Sequence, residues 1–102
     1  MDNRRQGMDT KDAFNAKIDA QLKEWSTRIA ELKARAELAE ASVKVEYIRQ
    51  VETLRIKREE TQAKLEDLKN AGDEAWEILK AGVEQAAIDL KNSINSAVSR
   101  FK

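Results

Sequence analysis

Apolar residues recur along this chain at steps of three and four. The row runs through Phe14, Ile18, Leu22, Trp25, Ile29, Leu32, Ala36, Ala39, Val43, Tyr47, Val51 and Leu54. After a polar gap at Arg58 and Thr61 it resumes at Leu65 and Leu68. Such spacing keeps one face of an α-helix apolar and is foreign to the alternation of a strand. Between Leu22 and Val43 the steps alternate, the heptad pattern of a left-handed supercoil. At Val43, Tyr47 and Val51 two steps of four follow each other, a stutter that locally unwinds a coil. Acid-before-base pairs at i,i+4 (Asp19–Lys23, Glu24–Arg28, Glu31–Arg35, Glu40–Lys44, Glu60–Lys64) line the polar face, each contributing about 0.2–0.5 kcal/mol to a helix. A first helix is therefore expected over about residues 10–70. Asp9 is its candidate N-cap, with Asp12 three residues on in a variant capping box. The polar, aperiodic residues 1–8 are expected as a disordered leader.

The last third carries an 11-residue repeat: LEDLKNAGDEA from Leu65, WEILKAGVEQA from Trp76 and AIDLKNSINSA from Ala87, then a truncated VSRFK. Leu68, Leu79, Leu90 and Phe101 share one register position, and Lys69, Lys80, Lys91 and Lys102 the next. Eleven residues make three helical turns with about 20° left over, so the repeat describes an amphipathic, nearly straight helix. Asn70, Ala71, Gly72 and Asp73 interrupt the pattern chemically. Gly72 is expected as a left-handed residue closing the first helix and Asp73 as the cap of a second over about residues 73–101. One unbroken helix, which would approach ~135 Å at 1.5 Å per residue, is the less favoured reading. Gly82 has no such neighbours and is placed within the second helix.

The expected fold is thus all-α: a long antiparallel helical hairpin, or coiled coil, with unequal arms and its turn near Asn70 and Asp73. A short second arm covers only residues 43–70 or so of the first. Phe14, Ile18, Leu22, Trp25, Ile29 and Leu32 would lack an intramolecular partner, each forgoing about 1.5–3 kcal/mol of burial. These six, with Trp76, are the candidate partner-binding residues, and self-association is the expected cover.

Composition narrows the chemistry. Of 102 residues, 37% are charged and 5% aromatic, with three glycines and no proline, the profile of long helices. Nineteen basic residues balance nineteen acidic ones, leaving no electrostatic footprint for nucleic acid or anionic lipid. The chain has no cysteine and no histidine, which removes disulfides, thiolate chemistry and the usual zinc and di-iron ligand sets. Ser26, Ser42, Ser93, Ser96 and Ser99 have no histidine base and no Gly-rich strand-to-helix turn. Glu59, Glu60, Glu66 and Asp67 read as solvation and ion-pair groups, and Arg55, Lys57 and Arg58, followed at once by Glu59 and Glu60, as a solvated face. No catalytic residue, metal site, cofactor or small-molecule substrate is expected. With no apolar run near the roughly 20 residues of a span and no signal-peptide core, a cytoplasmic protein is expected.

The segments AQLKEW (20–25), ETLRIKREETQAKLEDLK (52–69) and AWEILKAGVEQA (75–86), with the terminal SRFK, resemble a family of small bacterial coiled-coil proteins. These are described as stress-response proteins, first noted in cyanobacteria and common in proteobacteria. The resemblance spans about residues 12–102. It implies a bacterial origin, an association with stress, and neither enzyme activity nor cofactor. The expected function is that of a non-enzymatic coiled-coil interaction or scaffold protein, alone as a homo-oligomer or as an accessory helical subunit beside a helical partner protein. The alternative is an amphipathic membrane-surface or protectant helix of apolipoprotein-like or late-embryogenesis-abundant-like type, since Lys69, Lys80, Lys91 and Lys102 sit at the polar–apolar boundary such helices use.

Overall fold

The computed structural model describes the backbone from Asp2 to Phe101 and the side chains from Thr10 to Phe101. Over those residues the chain forms α1 (Asp2–Glu37), α2 (Ala41–Lys69) and α3 (Asp73–Arg100), with no strand among them. α1 takes in the backbone of residues 2–8, where a disordered leader was expected. Met1 lies outside the described residues.

The helices run up, down and up in a rod of 60 × 21 × 17 Å. Contacts at both ends set the directions. Near the α2–α3 turn, Lys11 of α1 bonds Asp73 of α3 at 2.6 Å, and Lys69 of α2 bonds Asp19 of α1 at 3.1 Å. At the far end, Tyr47 of α2 stacks on Phe101 at 4.1 Å. There the Arg35 guanidinium of α1 donates to the Phe101 carbonyl at 3.5 Å. α2 is therefore antiparallel to both neighbours, and α1 and α3 are parallel.

Each helix contributes one heptad row to a single core. α1 supplies Ile18, Leu22, Trp25, Ile29, Leu32 and Ala36. α2 supplies Val51, Leu54, Thr61, Leu65 and Leu68. α3 supplies Trp76, Val83, Ala87, Leu90, Ile94 and Ala97, with Phe101 closing the end. The polar gap in α2 is packed rather than empty. Thr61 is buried, and its hydroxyl donates back to the Lys57 carbonyl at 2.8 Å, so its polar atom is satisfied inside the core.

The single first arm over residues 10–70 is corrected by a break at residues 38–40, so the hairpin of unequal arms gives way to three helices. The Leu38 amide reaches both the Ala34 and Arg35 carbonyls at 3.2 Å, and the Ala39 amide closes a tighter turn onto Ala36. Glu40, extended at ψ 150°, then starts α2 with no side-chain cap bond. Leu38 is 88% exposed and Val43 37% exposed: the supposed stutter is where one row ends and the next begins. Folding α1 back covers the whole Phe14–Leu32 row within one chain, at the cost of a few helical residues. Because long helices owe most of their stability to such packing, the break wins over continuity.

The turn at residues 70–72 lies where the Asn/Gly/Asp cluster placed it, but its chemistry differs. Gly72 has φ −77° and ψ 174°, and no described glycine has positive φ. Gly72 is the N-cap of α3, its carbonyl accepting from the Trp76 amide at 3.0 Å, and Asp73 is the first helical residue. The Asp73 carboxylate goes to Lys11 instead of capping. Both N-caps, Glu40 and Gly72, thus leave orphan amides without a side-chain acceptor. Glu40→Ser and Gly72→Ser are each expected to stabilise the protein by about 0.5–1 kcal/mol, through a cap bond and, at Gly72, a stiffer unfolded chain. Thermal melts that show no gain for either would refute this account of the two turns.

Candidate interaction surface

The seven residues expected to bind a partner lie inside the monomer. Ile18, Leu22, Trp25, Ile29, Leu32 and Trp76 are buried, and Phe14 is half-buried against the same core. The expectation that they stand bare is corrected by the fold, because α2 and α3 together cover the row of α1 from Phe14 to Ala36. Self-association through this row has lost its motive.

Around Trp76 these residues form a charged aromatic cluster that ties the start of α3 to α1. Phe14 meets Trp76 edge-on at 5.8 Å. The Lys80 ammonium stands 5.4 Å from both ring centres, and Lys11 lies 5.4 Å from the Trp76 ring. Cations over ring faces contribute about 0.5–1 kcal/mol each at exposed sites. The hydrogen bond from Lys11, with its charge second, holds the Asp73 carboxyl below the usual aspartate range. Likewise the hydrogen bond to Asp19 raises Lys69 above the usual lysine range.

Of the acid–base pairs expected within helices, Glu24–Arg28 forms at 3.5 Å. Asp19 instead reaches across to Lys69, and Arg35 turns to the end of α3. Glu59 pairs with Arg55 at 2.8 Å and Glu66 with Lys69 at 3.5 Å. No cluster of three or more metal-ligating side chains occurs among the described residues. No helix among them is long and apolar enough to cross a membrane.

The surface has two features that the core does not use. α1 and α3 form the sparsest of the three helix interfaces. Beyond Phe14 they part into an open groove of about 450 Å³, floored by Ile18, Trp25 and Ala87 and rimmed by Lys17, Glu84, Ile88 and Lys91. Along the outward side of α3, opposite Val83 and Leu90, runs a second heptad row: Ile78, Ala81, Gln85, Ile88, Asn92, Asn95 and Ser99. All are exposed, Ile78 at 76% and Ile88 at 52%, and none is charged. In a chain that is 37% charged, a row of this length without a charge is unusual for a solvated face. A glycine, Gly82, sits beside it in mid-helix, and a Cβ added there would meet nothing within 4 Å. The monomer's packing therefore does not require that glycine, which costs about 1 kcal/mol in a helix interior.

This second row was readable beforehand, since Ile78, Ala81, Gln85 and Ile88 follow heptad steps out of phase with Trp76, Val83 and Leu90. The 11-residue repeat masks it, because its shared register carries Leu68, Leu79, Leu90 and Phe101 and leaves out Ile78 and Ile88. Other exposed apolar side chains, Leu38, Val43, Val45 and Ile48, gather towards the α1–α2 end, where Arg35, Leu38, Tyr47 and Phe101 line a smaller hollow of about 310 Å³.

The fold thus defines a three-helix bundle with one uncharged outer face. Compared with protein-family models, curated proteins and solved structures, the chain matches none.

Core and outer face should respond oppositely to the same charge. Trp25→Glu buries a carboxylate in the bundle and is expected to cost more than about 3 kcal/mol, enough to lose the cooperative melt. Ile88→Glu should change the monomer's stability by less than about 0.5 kcal/mol. Equal losses would contradict the burial assigned here. The Lys11–Asp73 bridge gives a pH signature. A depressed folded pKa contributes stability above the ordinary aspartate range and loses it as pH falls through the folded value. The melting-temperature advantage over Asp73→Asn should therefore be present at neutral pH and shrink below about pH 4. An advantage independent of pH would count against the bridge.

Proposed function

We propose that this protein is a non-catalytic helical interaction module that binds through the outward face of α3 and the adjoining α1–α3 groove. One observation carries the reading: the uncharged row with Ile78 and Ile88 exposed, on a bundle whose core is already complete without it. Apolar side chains repeated at heptad spacing on a finished bundle lose burial energy unless another helix covers them. The evenly mixed charge elsewhere favours a protein partner over nucleic acid or anionic lipid. A helical partner protein fits the row better than a lipid surface does. The apolar residues an amphipathic surface helix would insert (Trp76, Val83, Leu90, Ile94) are committed to the core, and releasing them would unfold the bundle. A role in stress physiology rests on the family resemblance of the sequence motifs.

A photoreactive phenylalanine analogue placed at Ile88, and as control at Ala20 on the outer side of α1, tests this in the host cell. Adducts at Ile88 and not at Ala20 are expected. Adducts at neither position, or equally at both, would sink the assignment of this face.

A further inference from the structure

Resting on that reading, we infer that the occupant of the α3 face is a second copy of this chain. α3 packs antiparallel on α3 about a two-fold axis at the level of Val83, where the two Gly82 residues meet. The spacing of the row sets the register. Ile78 and Ile88 lie five residues before and five after Val83, so the two-fold places Ile78 of each copy opposite Ile88 of the other. Ala81 and Gln85, two before and two after, meet in the same way nearer the axis. A shift by one heptad sets Ile78 against Ala81 or Asn95 and Ile88 against Ala71 or Gln85, and loses the two Ile–Ile layers that bury most surface.

Charge selects the antiparallel sense. Glu77, Glu84 and Lys91 flank the row on one side, and Gly82 and Asp89 on the other. In an antiparallel pair, like flanks face each other, so Glu77 meets Lys91 of the second copy twice, against a single Glu84–Glu84 approach at the axis. In a parallel pair opposite flanks meet, Glu84 faces Asp89 twice, and no opposite charges come together. Isologous pairing is the common closed arrangement for identical chains, and rows of opposite charge beside an apolar seam are what fix orientation in helical pairs.

Gly82 supplies an independent indication. Nothing in the monomer approaches within 4 Å of a Cβ at this position, yet the helix carries the penalty of a mid-helix glycine. At the two-fold axis, residue 82 faces its own copy. There glycine, flanked by Ala81 and Ala86, lets the backbones approach closely between the two isoleucine layers.

Sedimentation equilibrium on the purified full chain and three substituted forms across the micromolar range, with cross-linking of cysteine variants, tests the inference. The wild type should dimerise. Gly82→Leu and Ile88→Glu should each weaken the dimer by roughly tenfold or more, with the helical content of the monomer retained. Glu84→Gln removes the one like-charge approach and should tighten it. The chain has no cysteine, so the double variant Ile78→Cys with Ile88→Cys should give a disulfide-linked dimer on oxidation. Each single variant should not. Within one helix the two positions are about 15 Å apart, too far to bridge internally. A monomer throughout the range would overturn the inference, as would a dimer unaffected by Gly82→Leu or cross-linked equally by the single variants. If the purified chain is monomeric while adducts at Ile88 form in cells, the face survives with another partner and only the second copy is lost. If adducts fail as well, both readings fall.

Discussion

The apolar row of α1 has to be covered, and that requirement shapes the rest of the molecule. From Ile18 to Ala36 it presents a large side chain or an alanine at every third or fourth residue. Two helices of 29 and 28 residues lie along it side by side, one antiparallel and one parallel. To bring them there the chain reverses twice, at residues 38–40 and 70–72. Neither reversal is well capped, which shows that core packing rather than turn chemistry holds the topology together. Terminal contacts then lock the ends in register: Lys11, Phe14 and Lys80 around Trp76 at one end, and Arg35 and Tyr47 around Phe101 at the other.

The two reversals differ in how plainly the sequence announces them. Asn70, Gly72 and Asp73 advertise a turn by composition, and α2 ends there. Glu37, Leu38, Ala39, Glu40 and Ala41 contain no residue that disfavours helix strongly, and Leu38 and the alanines favour it. Only a change of phase between Ala36 and Tyr47 marks the second break, and a stutter in a continuous coil leaves the same trace. Local propensity was overruled here by burial elsewhere, an energy that no window around residue 38 contains. Gly72 shows the converse: its place in a turn was readable, but its backbone angles were not, because extended and left-handed glycines leave the same letter in the sequence.

The partner-binding residues inherited the error in topology. With one long arm, Phe14 to Leu32 had nothing to rest on and Trp76 belonged to a docking face; with two shorter helices they become core. The face that remains, on α3, shares its helix with the core row and differs from it only in phase. Steps of four, three and four span eleven residues, so a heptad row can imitate an 11-residue repeat over a short stretch. Leu68, Leu90 and Phe101 are buried on that register while Leu79 is only half so, which is where the two periodicities part.

The separation of the aromatic groups along the rod gives the protein built-in reporters of local opening. Trp76 sits at the turn end under two ammonium groups, Trp25 near the middle of α1, and Tyr47 at the opposite end, stacked on Phe101 with its hydroxyl donated to the Arg100 carbonyl at 2.9 Å. Fraying that begins at the α1–α2 end exposes a tyrosine, and fraying at the other end strips cations from an indole. An elongated bundle can open in pieces rather than all at once. Here each piece carries its own chromophore, so the order in which the rod comes apart is written in its ultraviolet spectrum.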